Sequence, residues 1–163
     1  MRPIVVRNLQ RVIRVNVPDL QRGAEDALQF CRKIRRKRAT PLSKLQEISV
    51  LLISDRRMSI LHREFLRQSG PTDVITFAHG EIFVSVEMAK RNAKRFGASL
   101  ARELQLYVVH GLLHLHGFDD RTAKGAREMR TVQEKVLASL NLKHRMLALG
   151  YDSAADSGEH DDS

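Results

Sequence analysis

The sequence predicts an α+β fold: a single domain in which a small mixed sheet of about four strands is covered by about five helices. Three observations carry that prediction. The chain has 163 residues, enough for one domain to remove roughly two-thirds of its surface from water. Runs rich in Val, Ile and Leu fall mainly in the first half, whereas the second half repeats apolar residues at helical spacing. No internal repeat or Pro/Gly-rich linker divides the two, so residues 1–149 read as one domain.

Pro3 to Leu9 has the partial alternation of a strand. Asp19 to Arg36 reads as a helix, with Leu20, Ala24, Ala27, Leu28, Cys31 and Ile34 on one stripe behind a Pro18-Asp19 start signal. Leu45 to Ile53 is a second strand. Ser54-Asp55 caps a helix that runs to Leu66, and Ser69-Gly70-Pro71 turns the chain. Asp73 to Phe77 and Glu81 to Val86 are strands on either side of Ala78-His79-Gly80. Helices follow over Ser85 to Phe96, Leu100 to His116 and Ala123 to Leu140, with a further helical piece from Lys143 to Leu149. Gly97 and Gly117 stand where C-caps belong. Residues 150–163 are small, polar and acidic without apolar periodicity, and read as a disordered tail.

Lys and Arg number 28 against 19 Asp and Glu, a net charge of +9. The tail holds five acidic residues and no Lys or Arg, so the body carries 28 basic against 14 acidic residues, or +14. Six basic residues crowd into one stretch: Arg32, Lys33, Arg35, Arg36, Lys37 and Arg38. A helix C-terminus favours cations, but six exceed what the macrodipole uses, and a polyanion such as nucleic acid fits the excess. With 5% aromatic residues and no Trp, the composition argues against a module built mainly on base-stacking platforms. Mean hydropathy is −0.32, and no apolar run approaches the roughly 20 residues of a bilayer span. The N-terminus lacks the apolar block of a secretory signal, so the cytoplasm is the expected compartment. Cys31 is the one cysteine, which excludes an internal disulfide framework and a cysteine-based zinc site.

Three of the seven histidines lie in the segment His110-Gly-Leu-Leu-His114-Leu-His116-Gly-Phe-Asp119-Asp120. His110 and His114 are four apart, so a helix projects both from one face, one turn apart. Two imidazoles so placed can share one zinc ion. His116 falls about 200° round the helix from His114 and cannot share the ion if the helix continues that far. Gly117 ends the helix, and the turn after it can swing Asp120 or Asp119 back as a hard oxygen ligand that leaves a position open. The plain alternative is a helix whose histidines only pack or face water. The flanking Tyr107, Val108, Val109, Leu112, Leu113 and Leu115 argue for burial, where two adjacent imidazoles need a partner. Against the zinc-peptidase pattern His-Glu-x-x-His-x-x-Gly-x-x-His, the segment matches at His110, His114 and Gly117. It has Gly111 in place of the Glu that acts as general base, and Asp120 in the last His position.

The same segment resembles the signature of the YbeY endoribonuclease family, His-Gly-x-x-His-Leu-x-Gly-Tyr/Phe-Asp followed by a third His. Pro71-Thr72-Asp73-Val74-Ile75-Thr76-Phe77 resembles that family's Pro-Thr-Asp-Val-Leu-Ser-Phe stretch, and Gly80-Glu81-Ile82 its Gly-Asp/Glu-Ile strand start. Order and spacing agree over residues 48–137. The resemblance implies a single α+β domain with a zinc-metalloprotease-like metal helix and one zinc ion. It implies a zinc-dependent endoribonuclease that acts on single-stranded and ribosomal RNA, in rRNA maturation and ribosome quality control, with the ribosomal small subunit or assembly proteins as partners. His110 and His114 fall on the first two ligand positions, and Asp120 stands where the family has His. The family's arginine five residues before the proline is replaced by Leu66, leaving Arg63 or Arg67 as candidates to hold a phosphoryl group. Thr72 and Asp73 fall at the edge of the cleft so implied, and Arg32, Lys33, Arg35 and Arg36 are candidate RNA contacts. Two other readings stay open: a non-catalytic RNA-binding assembly factor with structural zinc, and a zinc peptidase.

Overall fold

The structure, a computed structural model, describes residues 2–66 and 72–148. Four strands, β1 (Ile4–Asn8), β2 (Ile48–Ile53), β3 (Val74–Phe77) and β4 (Glu81–Ser85), form one sheet in the order β1-β2-β4-β3. β1, β2 and β4 run parallel, and β3 is the antiparallel edge. The helices are α1 (Val17–Lys33), α2 (Pro41–Lys44), α3 (Asp55–Leu66), α4 (Val86–Phe96), α5 (Leu100–Leu115) and α6 (Ala123–Ala148). This is the α+β class read from the sequence, with a mixed sheet of four strands.

Alternation sorts the strand residues between two faces. Ile4, Val6, Ile48, Val50, Leu52, Ile82 and Val84 face α1 and α5 and form the main core with Leu28, Leu104, Val108 and Leu112. The opposite face carries a smaller core of Ile53, Met58 and Ile75 under α3, flanked by Leu61, Phe77 and Phe83. β1 is the other sheet edge, and Gln21 of α1 satisfies it: Val6 N–H donates to Gln21 Oε1 (2.7 Å) and Gln21 Nε2 donates to Ile4 O (2.8 Å).

Several boundaries differ from the sequence reading for local reasons. α1 starts two residues before Asp19, because the Asn16 side chain accepts from Asp19 N–H and makes Asn16 the cap. It ends at Lys33, with Ile34 extended, so Arg35 and Arg36 leave the helix. α2 was not expected from the sequence; its four residues are held by a capping box between Thr40 and Ser43. The helical pieces expected on either side of Asn141 are one continuous helix, which Lys143 ties to Asp26 of α1 at 2.6 Å. Residues 67–71 and 149–163, among them Arg67 and the acidic tail, lie outside the described residues. No helix among the described residues is long and apolar enough to cross a membrane.

Cys31 is fully buried on α1, and burial pushes its thiol up to about 12. The thiolate is the reactive form, so native protein is expected to react with Ellman's reagent only negligibly in minutes. One equivalent should titrate in denaturant.

Asp55 joins the starts of α3 and α4. Its carboxylate accepts from Ser85 Oγ (2.7 Å), itself the α4 cap, and pairs with Arg91 at 2.6 Å. Burial pushes the carboxyl up, but the hydrogen bonds from Arg91 and Ser85 outweigh it and hold it below the usual carboxylate range. A depressed folded value means that this stabilisation is present above the unfolded pKa and is lost as pH falls through the folded one. Asp55→Asn should therefore cost about 1 kcal/mol at pH 7, kept small because Arg91 is half exposed. Urea melts should show the difference from wild type shrinking as pH falls below about 4.

Candidate metal centre

The centre is built at the end of α5. The apolar face of that helix, including Leu104, Val108, Leu112 and Leu115, is buried in the main core. Gly111 lets it press against the sheet: a Cβ there would lie 2.7 Å from Ile82 Cγ2 and 3.1 Å from Thr76 Oγ1. Beyond Leu115 the chain reverses in a Schellman motif. Phe118 N–H donates to Leu113 O (3.0 Å), Gly117 N–H donates to His114 O (3.1 Å), and Gly117 takes φ +87°, which only glycine adopts without strain. The reversal returns residues 118–120 alongside the histidines.

His110 Nε2 and His114 Nε2 lie 3.0 Å apart, and Asp120 Oδ2 is 3.5 Å from the first and 3.8 Å from the second. The other nitrogen of each ring is engaged. His114 Nδ1 meets Phe118 O at 3.1 Å, and His110 Nδ1 meets Gln133 Oε1 of α6 at 3.0 Å. A backbone carbonyl can only accept, so neutral His114 carries its proton on Nδ1 and presents an Nε2 lone pair. Gln133 Oε1 accepts from His110 Nδ1 and so turns the other ring nitrogen, Nε2, toward His114 and Asp120. Two imidazole nitrogens and a carboxylate oxygen therefore converge on one point, an arrangement that a single cation can satisfy. Burial, then the neighbouring His110, holds His114 below the usual histidine range against the pull of Asp120, so it is neutral near pH 7. The three donor atoms lie within 4.8 Å of one another, and two imidazoles with one carboxylate suit a zinc-like ion. The residues fit such an ion.

Asp119 and Asp120, both open from the sequence, separate cleanly. Asp119 is bound by Arg121, whose Nε donates to Asp119 Oδ2 at 2.6 Å, while Asp120 turns to the imidazoles. His116 points away and is buried, with Nε2 2.6 Å from Ile34 O and Nδ1 3.0 Å from Thr40 Oγ1. Gln133 and Gly125 were not singled out from the sequence. A Cβ on Gly125 would lie 2.2 Å from Asp119 O, so α6 can start directly beneath the loop. Gln133 had a signal: with Met129, Val136 and Leu140 buried, it is a polar residue at the apolar phase of α6.

The remaining candidates scatter. Arg63 is exposed in the last turn of α3, which packs on the sheet face opposite α5. Arg67 lies outside the described residues. Asp73 organises the start of β3, accepting from Val74 N–H (2.8 Å) and Thr72 Oγ1 (3.4 Å). Of the basic stretch, Arg32 donates to Leu45 O (3.4 Å), Lys33 sits 5.9 Å from the Phe30 ring, and Arg35 is exposed. Arg36 packs on the Gly117-Phe118 turn instead.

A family profile described as Endoribonuclease YbeY matches residues 5–141. Curated relatives of that description include one from Moorella thermoacetica, 38% identical over 116 residues, covering 60% of this chain and 74% of that protein. Another, from Pelotomaculum thermopropionicum, is 30% identical over 158 residues, covering 86% of this chain and 98% of its own. Among solved structures, the solution structure of TM1509 from Thermotoga maritima superposes with a TM-score of 0.62 at 25% identity, covering 98% of this chain and 99% of that one.

Proposed function

The chain belongs to the endoribonuclease YbeY family, and from that premise we propose that it is a metal-dependent hydrolase that cleaves RNA phosphodiester bonds at the His110, His114 and Asp120 centre. The observation that carries the reading is the convergence of two imidazole Nε2 atoms and one carboxylate oxygen, each imidazole fixed from behind by an acceptor. A zinc ion held there supplies Lewis acidity toward a phosphoryl oxygen and toward water. His114 stays neutral and ready to donate its lone pair because it is half-buried beside His110. Phe118 O and Gln133 hold the rings in one tautomer, the outer partners that metal-binding histidines require. The basic stretch through Arg32, Lys33 and Arg35 supplies positive charge for the polyanion.

The peptidase reading loses its support at Gly111. The general-base Glu of that pattern has no room where a Cβ would meet Ile82 at 2.7 Å. The finer proposals rest on the family resemblance: zinc as the native ion, single-stranded ribosomal RNA as substrate, small-subunit or assembly proteins as partners, and a cytoplasmic role in rRNA maturation and ribosome quality control. The test is cleavage of a single-stranded RNA and its duplex with chelator and with zinc restored. Cleavage of the single strand alone, lost with chelator and regained with zinc, is the expected result. Undiminished cleavage in chelator overturns the reading. The new RNA ends decide the chemistry, since a 2′,3′-cyclic phosphate marks the ribose hydroxyl as nucleophile.

A further inference from the structure

Arg36 differs from the rest of the basic stretch in what it touches. Its Nη2 donates to Gly117 O at 3.0 Å, its Cζ sits 3.8 Å from the centroid of the Phe118 ring, and its Nη1 lies 3.5 Å from Glu128 Oε1 of α6. Its side chain is 26% exposed. One guanidinium face is covered by an aromatic ring and its edge is divided between a carbonyl and a carboxylate, so little of the fork is left for a phosphate.

Those contacts fall on the two elements that orient the imidazoles. The Gly117-Phe118 turn carries the carbonyl that holds His114 Nδ1, and α6, which carries Glu128, also carries the Gln133 that holds His110 Nδ1. The same turn is strapped in the reverse direction by His116, which reaches back to Ile34 O and Thr40 Oγ1. Residues 34–40 thus lie across the end of α5 as a splint, with Arg36 joining the turn to α6. We infer that Arg36 is a positioning residue of the metal centre, fixing Phe118 O and α6 so that both imidazoles present Nε2, rather than one of the RNA contacts of the basic stretch. The inference rests on the metal reading above.

The test compares wild type, Arg36→Ala, Arg36→Lys and Arg35→Ala. Zinc affinity is measured by competition with a chromophoric chelator. The His114 tautomer is read from ring ¹⁵N shifts of the metal-free protein. Binding of metal-free protein to a labelled single-stranded RNA is followed against salt. Arg36→Ala should weaken zinc about 10- to 100-fold, mix the His114 tautomers and leave the salt slope unchanged. Arg36→Lys should weaken zinc as well, because an ammonium lacks the planar fork that stacks on Phe118 while its two nitrogens reach Gly117 O and Glu128, and it keeps the test readable where the Ala variant does not fold. Arg35→Ala should keep zinc affinity and lower the slope by about 0.7, one charge on a single strand. Unchanged zinc affinity in both Arg36 variants overturns the inference, and a slope lowered as in Arg35→Ala returns Arg36 to the RNA contacts. Failure of wild type itself to bind zinc overturns the metal reading instead, so the two failures are distinguishable.

Discussion

His114→Ala is expected to lose bound metal and to cut RNA at least about 10³-fold more slowly, the equivalent of roughly 4 kcal/mol of lost transition-state stabilisation. The fold should survive. The side chain is 29% exposed, and removing its bond to Phe118 O costs only about 1 kcal/mol. Metal-free wild type and variant should therefore unfold at nearly the same urea concentration. Metal analysis, a cleavage gel and the two melts check this together. A variant that unfolds early would give the histidine a packing role, and one that keeps both metal and cleavage would remove it from the centre.

The second large effect is expected at Gly111. Restoring the Glu of the zinc-peptidase pattern should yield a chain that does not fold. A Cβ alone lies 2.7 Å from Ile82 Cγ2, and Ile82 is fully buried between strand and helix. Gly111→Ala gains about 1 kcal/mol of helix propensity but meets an overpacking cost toward the top of the usual range of about 1–3 kcal/mol. It should be net destabilised in urea. Gly111→Glu forces a longer, charged side chain into the same contact, where Ile82 fills the space and the Thr76 hydroxyl is the polar group at hand, and should be insoluble. A soluble Gly111→Glu protein with a wild-type melt would show that α5 does not press on the sheet there.

These two positions also show how much of the site could be read in advance. His110 and His114 were legible because their relation is local: four residues on one helix fix their spacing whatever the rest of the chain does. Asp120 was half legible, since Gly117 foretold a reversal but the choice between two carboxylates depended on Arg121 taking Asp119. Gln133 and Arg36 act across 23 and 81 residues of chain, and no local periodicity encodes such a meeting. Charge counting therefore pooled Arg36 with its neighbours, although its contacts set it apart. In the fold the same division holds. Strand alternation and helix stripes predicted the elements, whereas the order β1-β2-β4-β3 depends on non-local pairing, and α2 is too short for a periodic signal.

The central claim is that two imidazole nitrogens and one carboxylate oxygen hold a single ion. X-ray absorption at the zinc edge of protein loaded with one equivalent tests it most directly. The expected first shell has two nitrogens at about 2.0–2.1 Å with the outer-ring scattering of imidazole, and oxygen at about 2.0–2.2 Å. In the Asp120→His variant a third imidazole should enter. A shell of oxygens alone, or a spectrum that Asp120→His leaves unchanged, would contradict the account.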